Sequence, residues 1–397
     1  MTDDRTPHKA YERTHPHISF SVDLRRAQYL LWMLLGEAQS KIEHIAGVPL
    51  RPDVAKQLNS VYLAKGALAT TAIEGNTLSE DEVIRRLAGI RELPPSREYL
   101  GQEIDNIITA ANGIFAKLYA GEDRHLTYEL VVDFNRQVLT GLAVDDGVVP
   151  GAIRAHDVGV GGYHGPPHQD CDHLLRRLCD WLNFDDAFNA PKGQETAFAI
   201  IRAVIAHLYL AWIHPFGDGN GRTARLVEFQ ILVAAGAPLP AAHLLSDHYN
   251  RTRTEYYRQL AASSRDSDGP VRFLIYAVQG FVDSLREQLG VVRSQQMDVT
   301  WRNYVHETLH GSATDDRRRH LVLGLSSLSK PVPVSDLPNV NARIATDYAR
   351  VSARTLARDV NELTIHGYLM RVEGGVITNK ALITAFLPAR RGTGSPG

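Results

Sequence analysis

The stretch that most constrains this 397-residue chain is the string His214-Pro215-Phe216-Gly217-Asp218-Gly219-Asn220-Gly221-Arg222-Thr223-Ala224-Arg225, set between two apolar runs. Residues 198–213 are nearly all apolar, which predicts a buried helix. Pro215 disfavours helical geometry at the residue before it, so that helix should stop near His214. Residues 226–233 resume a helix-compatible apolar run, closed by Gly236. The string is therefore expected to link two helices and to sit at the N-terminus of the second.

That position has chemical consequences. Free backbone N–H groups and the helix dipole make a helix N-terminus a site for anions. Gly217, Gly219 and Gly221 allow tight turning and close approach to a ligand. Arg222 and Arg225 lie three apart, so both can lean to one face, and their planar forks suit phosphate oxygens. Asp218 is an anion among cations, and a carboxylate beside phosphates points to Mg²⁺. His214 can take a proton from an attacking group. A histidine behind a buried helix is by itself equally compatible with a structural role. The pattern is neither a Walker loop, for no Lys-Ser/Thr follows the glycines, nor a dinucleotide fingerprint, for position 222 is Arg.

The full string resembles the signature of Fic-domain proteins, His-x-Phe-x-Asp/Glu-Gly-Asn-Gly-Arg-x-x-Arg, with every fixed position filled. The resemblance implies transfer of AMP from ATP to a hydroxyl of Ser, Thr or Tyr on a target protein, possession of the target site by the chain itself being left open. It implies that His214 deprotonates the hydroxyl and that Asp218 holds Mg²⁺. Gly219, Asn220 and Gly221 would cradle the α-phosphate, Arg222 and Arg225 the β- and γ-phosphates, and Phe216 would anchor the loop.

Upstream, Glu74 falls at the end of a helix expected over 53–73, where a negative charge opposes the macrodipole. An exposed acid there is ordinarily of little consequence. However, Thr70-Thr71-Ala72-Ile73-Glu74-Gly75-Asn76 resembles the Fic inhibitory motif, Ser/Thr-x-x-x-Glu-Gly/Asn. The resemblance implies that Glu74 pairs with Arg225 and occupies the fork that the γ-phosphate needs. Residues 153–160 alternate partly in polarity before Gly161 and Gly162, which predicts a β-hairpin or a surface loop. It looks like the Fic flap, with Val158, Gly159 and Val160 offering backbone to a target, as in β-augmentation. Tyr249, Tyr256 and Tyr257 read as core aromatics. The family assigns a paired tyrosine here, Tyr256 and Tyr257, to the adenine pocket, and the chain has Ser263-Ser264 where relatives often have Asn.

Other expected helices span 24–45, 79–89 (opened by the capping box of Ser79 and Glu82), 100–119, 127–142 and 271–289. His164, His168, Cys171 and His173 do not match a standard zinc spacing and read as a polar hairpin and helix start. From about Met297 the pattern becomes helix, helix, helix and hairpin, which looks like the winged helix-turn-helix module of some bacterial Fic proteins. Arg354 and Arg358 share one face of its recognition-helix candidate, and DNA or a protein are both open as its partner.

Net charge is -2, so nucleic-acid binding would need a local patch. Cys171 and Cys179 are too few for a disulfide framework, no signal-peptide pattern opens the chain, and 29–35 is too short to span a bilayer. The expectation is a cytoplasmic protein with no membrane partner; a homodimer is left open. The fold expected is mainly α: a Fic-fold helical domain with a β-hairpin flap, plus a C-terminal winged helix. The parts are a flexible arm (1–23), an N-terminal helical region with the inhibitory segment (24–119), a catalytic core (120–290), the winged helix (297–388) and a disordered tail (389–397). Two rival functions are removal of AMP at the same site, and DNA-binding regulation with a vestigial site.

Overall fold

In a computed structural model of the chain, which describes residues 9–49, 52–90, 93–121, 124–160 and 162–384, the apolar run ahead of the string forms the helix Glu195–Ile213. From Ala197 to Ile213 it is almost entirely buried, and it is the axis of the first of two units, which part between Leu289 and Gly290. This helix is long and apolar enough to cross a bilayer, but here its apolar surface is packed inside a protein core. The helix Asn220–Ala234 packs along it, and Glu98–Tyr119 and Tyr128–Val138 flank that second helix. His168–Phe184 and Tyr29–Gly47 cover other sides of the first. Each fully buried Leu, Ile or Phe contributes ~1.5–3 kcal/mol over exposure.

Local signals act where the sequence places them. Ser79 and Glu82 form the reciprocal capping box that opens Glu80–Leu87. Thr127 caps Tyr128–Val138. The helix Pro52–Ala72 ends in a turn with Gly75 at φ 106°, which leaves Glu74 just beyond the helix.

Several expectations are corrected. Residues 9–23 are no loose arm: Tyr11, Ile18 and Phe20 are buried in the main core, and the Tyr11 N–H donates to Asp170 at 2.8 Å. Their aromatic and apolar anchors follow no regular period, so patterning could not reveal them. The helix expected from residue 24 starts at Tyr29, after a short turn at Leu24–Arg26. The helix expected to close at Leu289 spans Gly269–Thr308, because nothing in the sequence breaks it there and Gly290 is tolerated in a helix interior. The tail 389–397 lies outside the described residues.

In the second unit, the helices Ala313–Ser326, Ala342–Tyr348 and Ala353–Ile365 precede an antiparallel hairpin, Leu369–Val372 with Gly375–Thr378. Val332 adds a bridge to Val376. Trp301, Leu321, Ile344, Val360 and Val376 share a separate core. Ser312, Asn341 and Ser352 cap its three helices. Buried Asp359 accepts hydrogen bonds from Arg317, Arg318 and Tyr348.

Candidate active site

The string forms the expected loop between two helices. His214 caps the first in the left-handed region (φ 47°, ψ 57°), a strained conformation for a residue with a side chain. One buried arginine holds it there. Arg154 Nε donates to the His214 carbonyl at 2.8 Å, and its backbone N–H donates to the Pro215 carbonyl at 3.0 Å. The same guanidinium donates to the carbonyls of His156 and Pro166. The loop and the segment leading to the hairpin are thereby tied to one side chain. Phe216 is buried, as its expected anchoring role requires, and bridges to Ile153.

Asn220 differs from expectation. Its amide folds back on the loop: Nδ2 donates to the Phe216 carbonyl at 2.8 Å and Oδ1 accepts the Phe216 N–H at 3.0 Å. It shapes the turn rather than facing outward. Asn135 does the same from a neighbouring helix, donating to the Asp218 carbonyl and accepting from Gly151. Gly219, at φ 75°, opens the second helix.

Arg222 and Arg225 lie in the first turns of Asn220–Ala234, and both are buried. Arg225 Nη2 meets Glu74 Oε1 at 2.6 Å and donates to the Thr70 carbonyl at 2.8 Å. The Glu74 carboxylate also fills the space where a Cβ on Gly221 would stand, which is the close approach that glycine permits. Burial pushes the Glu74 pKa up, but the charge and hydrogen bond of Arg225 outweigh it and hold the carboxyl below its usual range. Arg222 Nη1 pairs with Glu103 at 2.9 Å and its Nη2 with Asp218 at 3.2 Å. Arg225 Nε and Nη1 and Arg222 Nε have no hydrogen-bond partner among the described residues. Buried donors left unpaired are costly, and an anionic ligand would satisfy them.

Burial, reinforced by the charge of Arg154, lowers the His214 pKa to about 4, so the imidazole is neutral near pH 7. Asp218 is half-exposed and supplies one carboxylate; no cluster of three or more metal-ligating side chains occurs among the described residues. One carboxylate suits Mg²⁺, which takes most ligands from water and substrate phosphates.

The expected hairpin is shorter than its alternation suggested. Gly159–Val160 pairs with Tyr163–His164, and Val158 only contributes a carbonyl that accepts the Gly165 N–H. Arg154 interrupts the pattern because it turns inward as the clamp. The two tyrosines separate. Tyr256 is buried and its hydroxyl bonds His207 at 2.8 Å, so it backs the site from within the core. Tyr257 is 42% exposed, with its hydroxyl 3.4 Å from the Ile73 carbonyl, next to Glu74. Ser263 is buried and bonds Trp212. The roles of Arg154, Asn135 and Glu103 are not foreseen from the sequence; only a polar or charged residue on an otherwise helix-like or strand-like pattern marks them.

Residues 125–232 match the Fic/DOC family. The chain is 29% identical to protein adenylyltransferase fic-1 of Caenorhabditis elegans over 233 residues, which covers 58% of this chain and 42% of the relative. It thus spans less than half the length of that curated relative. A Fic family protein from Desulfovibrio desulfuricans has a similar fold, with a TM-score of 0.55 at 19% identity, covering 87% of this chain and 92% of that one. The C. elegans Fic-1 structure (residues 134–508 of that protein) aligns with a TM-score of 0.52 at 24% identity over 71% of this chain and 76% of its own.

Proposed function

We propose that this chain, which carries a Fic domain, transfers AMP from ATP to a hydroxyl side chain of a target protein and is held down by Glu74. The observation that carries the reading is the junction of a neutral His214 with two arginines at one helix N-terminus, one of them occupied by Glu74. In the proposed reaction the target hydroxyl attacks the α-phosphorus of ATP. His214 accepts the hydroxyl proton, a new P–O bond forms, and pyrophosphate leaves with its electron pair. Backbone N–H groups at the start of Asn220–Ala234 face the α-phosphate, and Arg222 and Arg225 hold the two others. Asp218 would hold Mg²⁺, which neutralises phosphate charge. Tyr257, with its exposed ring beside the Glu74 turn, is the better placed of the two tyrosines for the base. Glu74 competes for Arg225, so the γ-phosphate cannot seat fully while the pair persists.

The test is incorporation of label from α-labelled ATP with Mg²⁺, in lysate and in the protein alone. Glu74→Gly should label well above wild type, and adding Arg225→Ala should cancel the gain. Equal labelling by Glu74→Gly and wild type, both folded and saturated, sinks the inhibitory reading; no labelling by any variant sinks AMP transfer.

A further inference from the structure

Glu74 is not alone in occupying the phosphate-binding arginines. Glu103, on the helix Glu98–Tyr119, places Oε1 2.9 Å from Arg222 Nη1, with side chains only 15% and 7% exposed. Its other oxygen accepts from Asn76 Nδ2 at 2.9 Å. Asn76 is buried, two residues beyond Glu74 in the same turn, and its Oδ1 accepts the Leu78 N–H at 3.0 Å. A continuous chain of contacts therefore runs from the Glu74 turn through Asn76 and Glu103 to Arg222 and on to Asp218.

We propose that Glu103 is a second carboxylate brake, acting on Arg222 and coupled through Asn76 to the turn that carries Glu74. The inference rests on the reading that this site takes ATP. The geometry argues for competition and against simple support. Both terminal nitrogens of Arg222 are held by carboxylates, Nη1 by Glu103 and Nη2 by Asp218, and Nε is enclosed. Any bidentate phosphate contact uses at least one of these terminal nitrogens and so meets a carboxylate already there. Charge points the same way. Glu103 and Asp218 place two carboxylates on Arg222, so an entering polyanion meets negative charge at that guanidinium. Removing Glu74 alone leaves Arg222 still engaged by Glu103 and Asp218. The coupling follows from the shared oxygen pair of Glu103. A displacement of the Glu74 turn draws Asn76 with it, weakens the hold on Glu103 and loosens Arg222.

The test is ATP affinity, measured calorimetrically with Mg²⁺ on the full chain. In the Glu74→Gly background, Glu103→Gln should tighten ATP binding about tenfold, as expected for freeing one charge-assisted contact. Asn76→Ser in the same background should tighten it by a smaller factor, because Glu103 then loses its anchor. A substitution that merely damages the fold weakens binding, so a gain cannot come from structural loss. Unchanged or weaker binding by Glu103→Gln overturns the proposal. If that variant does not fold, unchanged binding by Asn76→Ser overturns it. Because the readout is binding, tighter ATP affinity without labelled protein would reject AMP transfer and leave this coupling standing.

Discussion

His214 combines a strained backbone with a low proton affinity, and both bear on the role of base proposed for it. A depressed pKa keeps the imidazole neutral further into acid. Glu74 and Asp218 oppose the depression, so removing Glu74 should lower the value further. The rate of transfer by Glu74→Gly at saturating ATP should stay level from about pH 8 to about pH 6, declining only toward the folded-state value of about 4. A midpoint near the ordinary 6.5 would show that the ring is solvated. His214→Ala should cost ~10²–10⁴ in rate while leaving ATP affinity nearly unchanged. Glu74→Gly also has a stability signature. It strips Arg225 of its carboxylate partner and should destabilise the free protein by roughly 1–3 kcal/mol. ATP should restore more of that stability than it adds to wild type, which thermal melts with and without nucleotide can read.

The flap and the loop act as a pair because Arg154 joins them. Its guanidinium reaches three carbonyls, those of His214, His156 and Pro166, from a buried position. Arg154→Met keeps much of the apolar volume and removes all three bonds. The His214 backbone should then relax from the left-handed region, moving the imidazole off line. A displacement near 1 Å costs ~10²-fold in rate. ATP affinity should change far less, since the turn that opens Asn220–Ala234 is held separately by Asn135 and Asn220. Single-turnover labelling beside calorimetry separates the two effects. Equal losses in rate and affinity would mean that Arg154 supports the fold at large.

Across the chain, acid should be destabilising. His17, His214, His243 and His248 each have their pKa lowered to about 4, chiefly by burial, and all lie in the first unit. Their unfolded forms bind protons near pH 6.5, so stability is fully present above about pH 6.5 and is lost as pH falls toward about 4. Glu74, held below its usual range by Arg225, adds loss of the same sign at the acid end of that window. Melting temperature should therefore decline steadily below about pH 6.5, and a flat profile down to pH 4 would contradict the burial of these rings. For the second unit we propose DNA as the partner. Arg354 and Arg358 are exposed on Ala353–Ile365, while Leu356, Asp359 and Val360 face its core. Arg354→Ala with Arg358→Ala should weaken a gel shift and reduce its salt dependence, without altering AMP transfer. No shift by the parent protein would reject DNA in favour of a protein partner.

The identity of the central loop was legible because its chemistry is contiguous. Base, carboxylate, glycines and arginines stand within one turn, and proline and glycine state where the backbone must bend. The capping box, the buried helix and the glycine-closed turn after Pro52–Ala72 were legible for the same reason, since each depends on neighbours a few residues apart. The partners of that loop were not. Arg154, Asn135 and Glu103 reach it from 60, 83 and 119 residues away in sequence, and their hydrogen bonds leave no periodic trace. Likewise, nothing local distinguishes Tyr256, sealed against His207, from Tyr257, which keeps an exposed ring. Local sequence selects which backbone turns are affordable in free energy. Which distant carboxylate meets which arginine depends on how the helices pack, because burial removes water as the competing partner and makes each such meeting count.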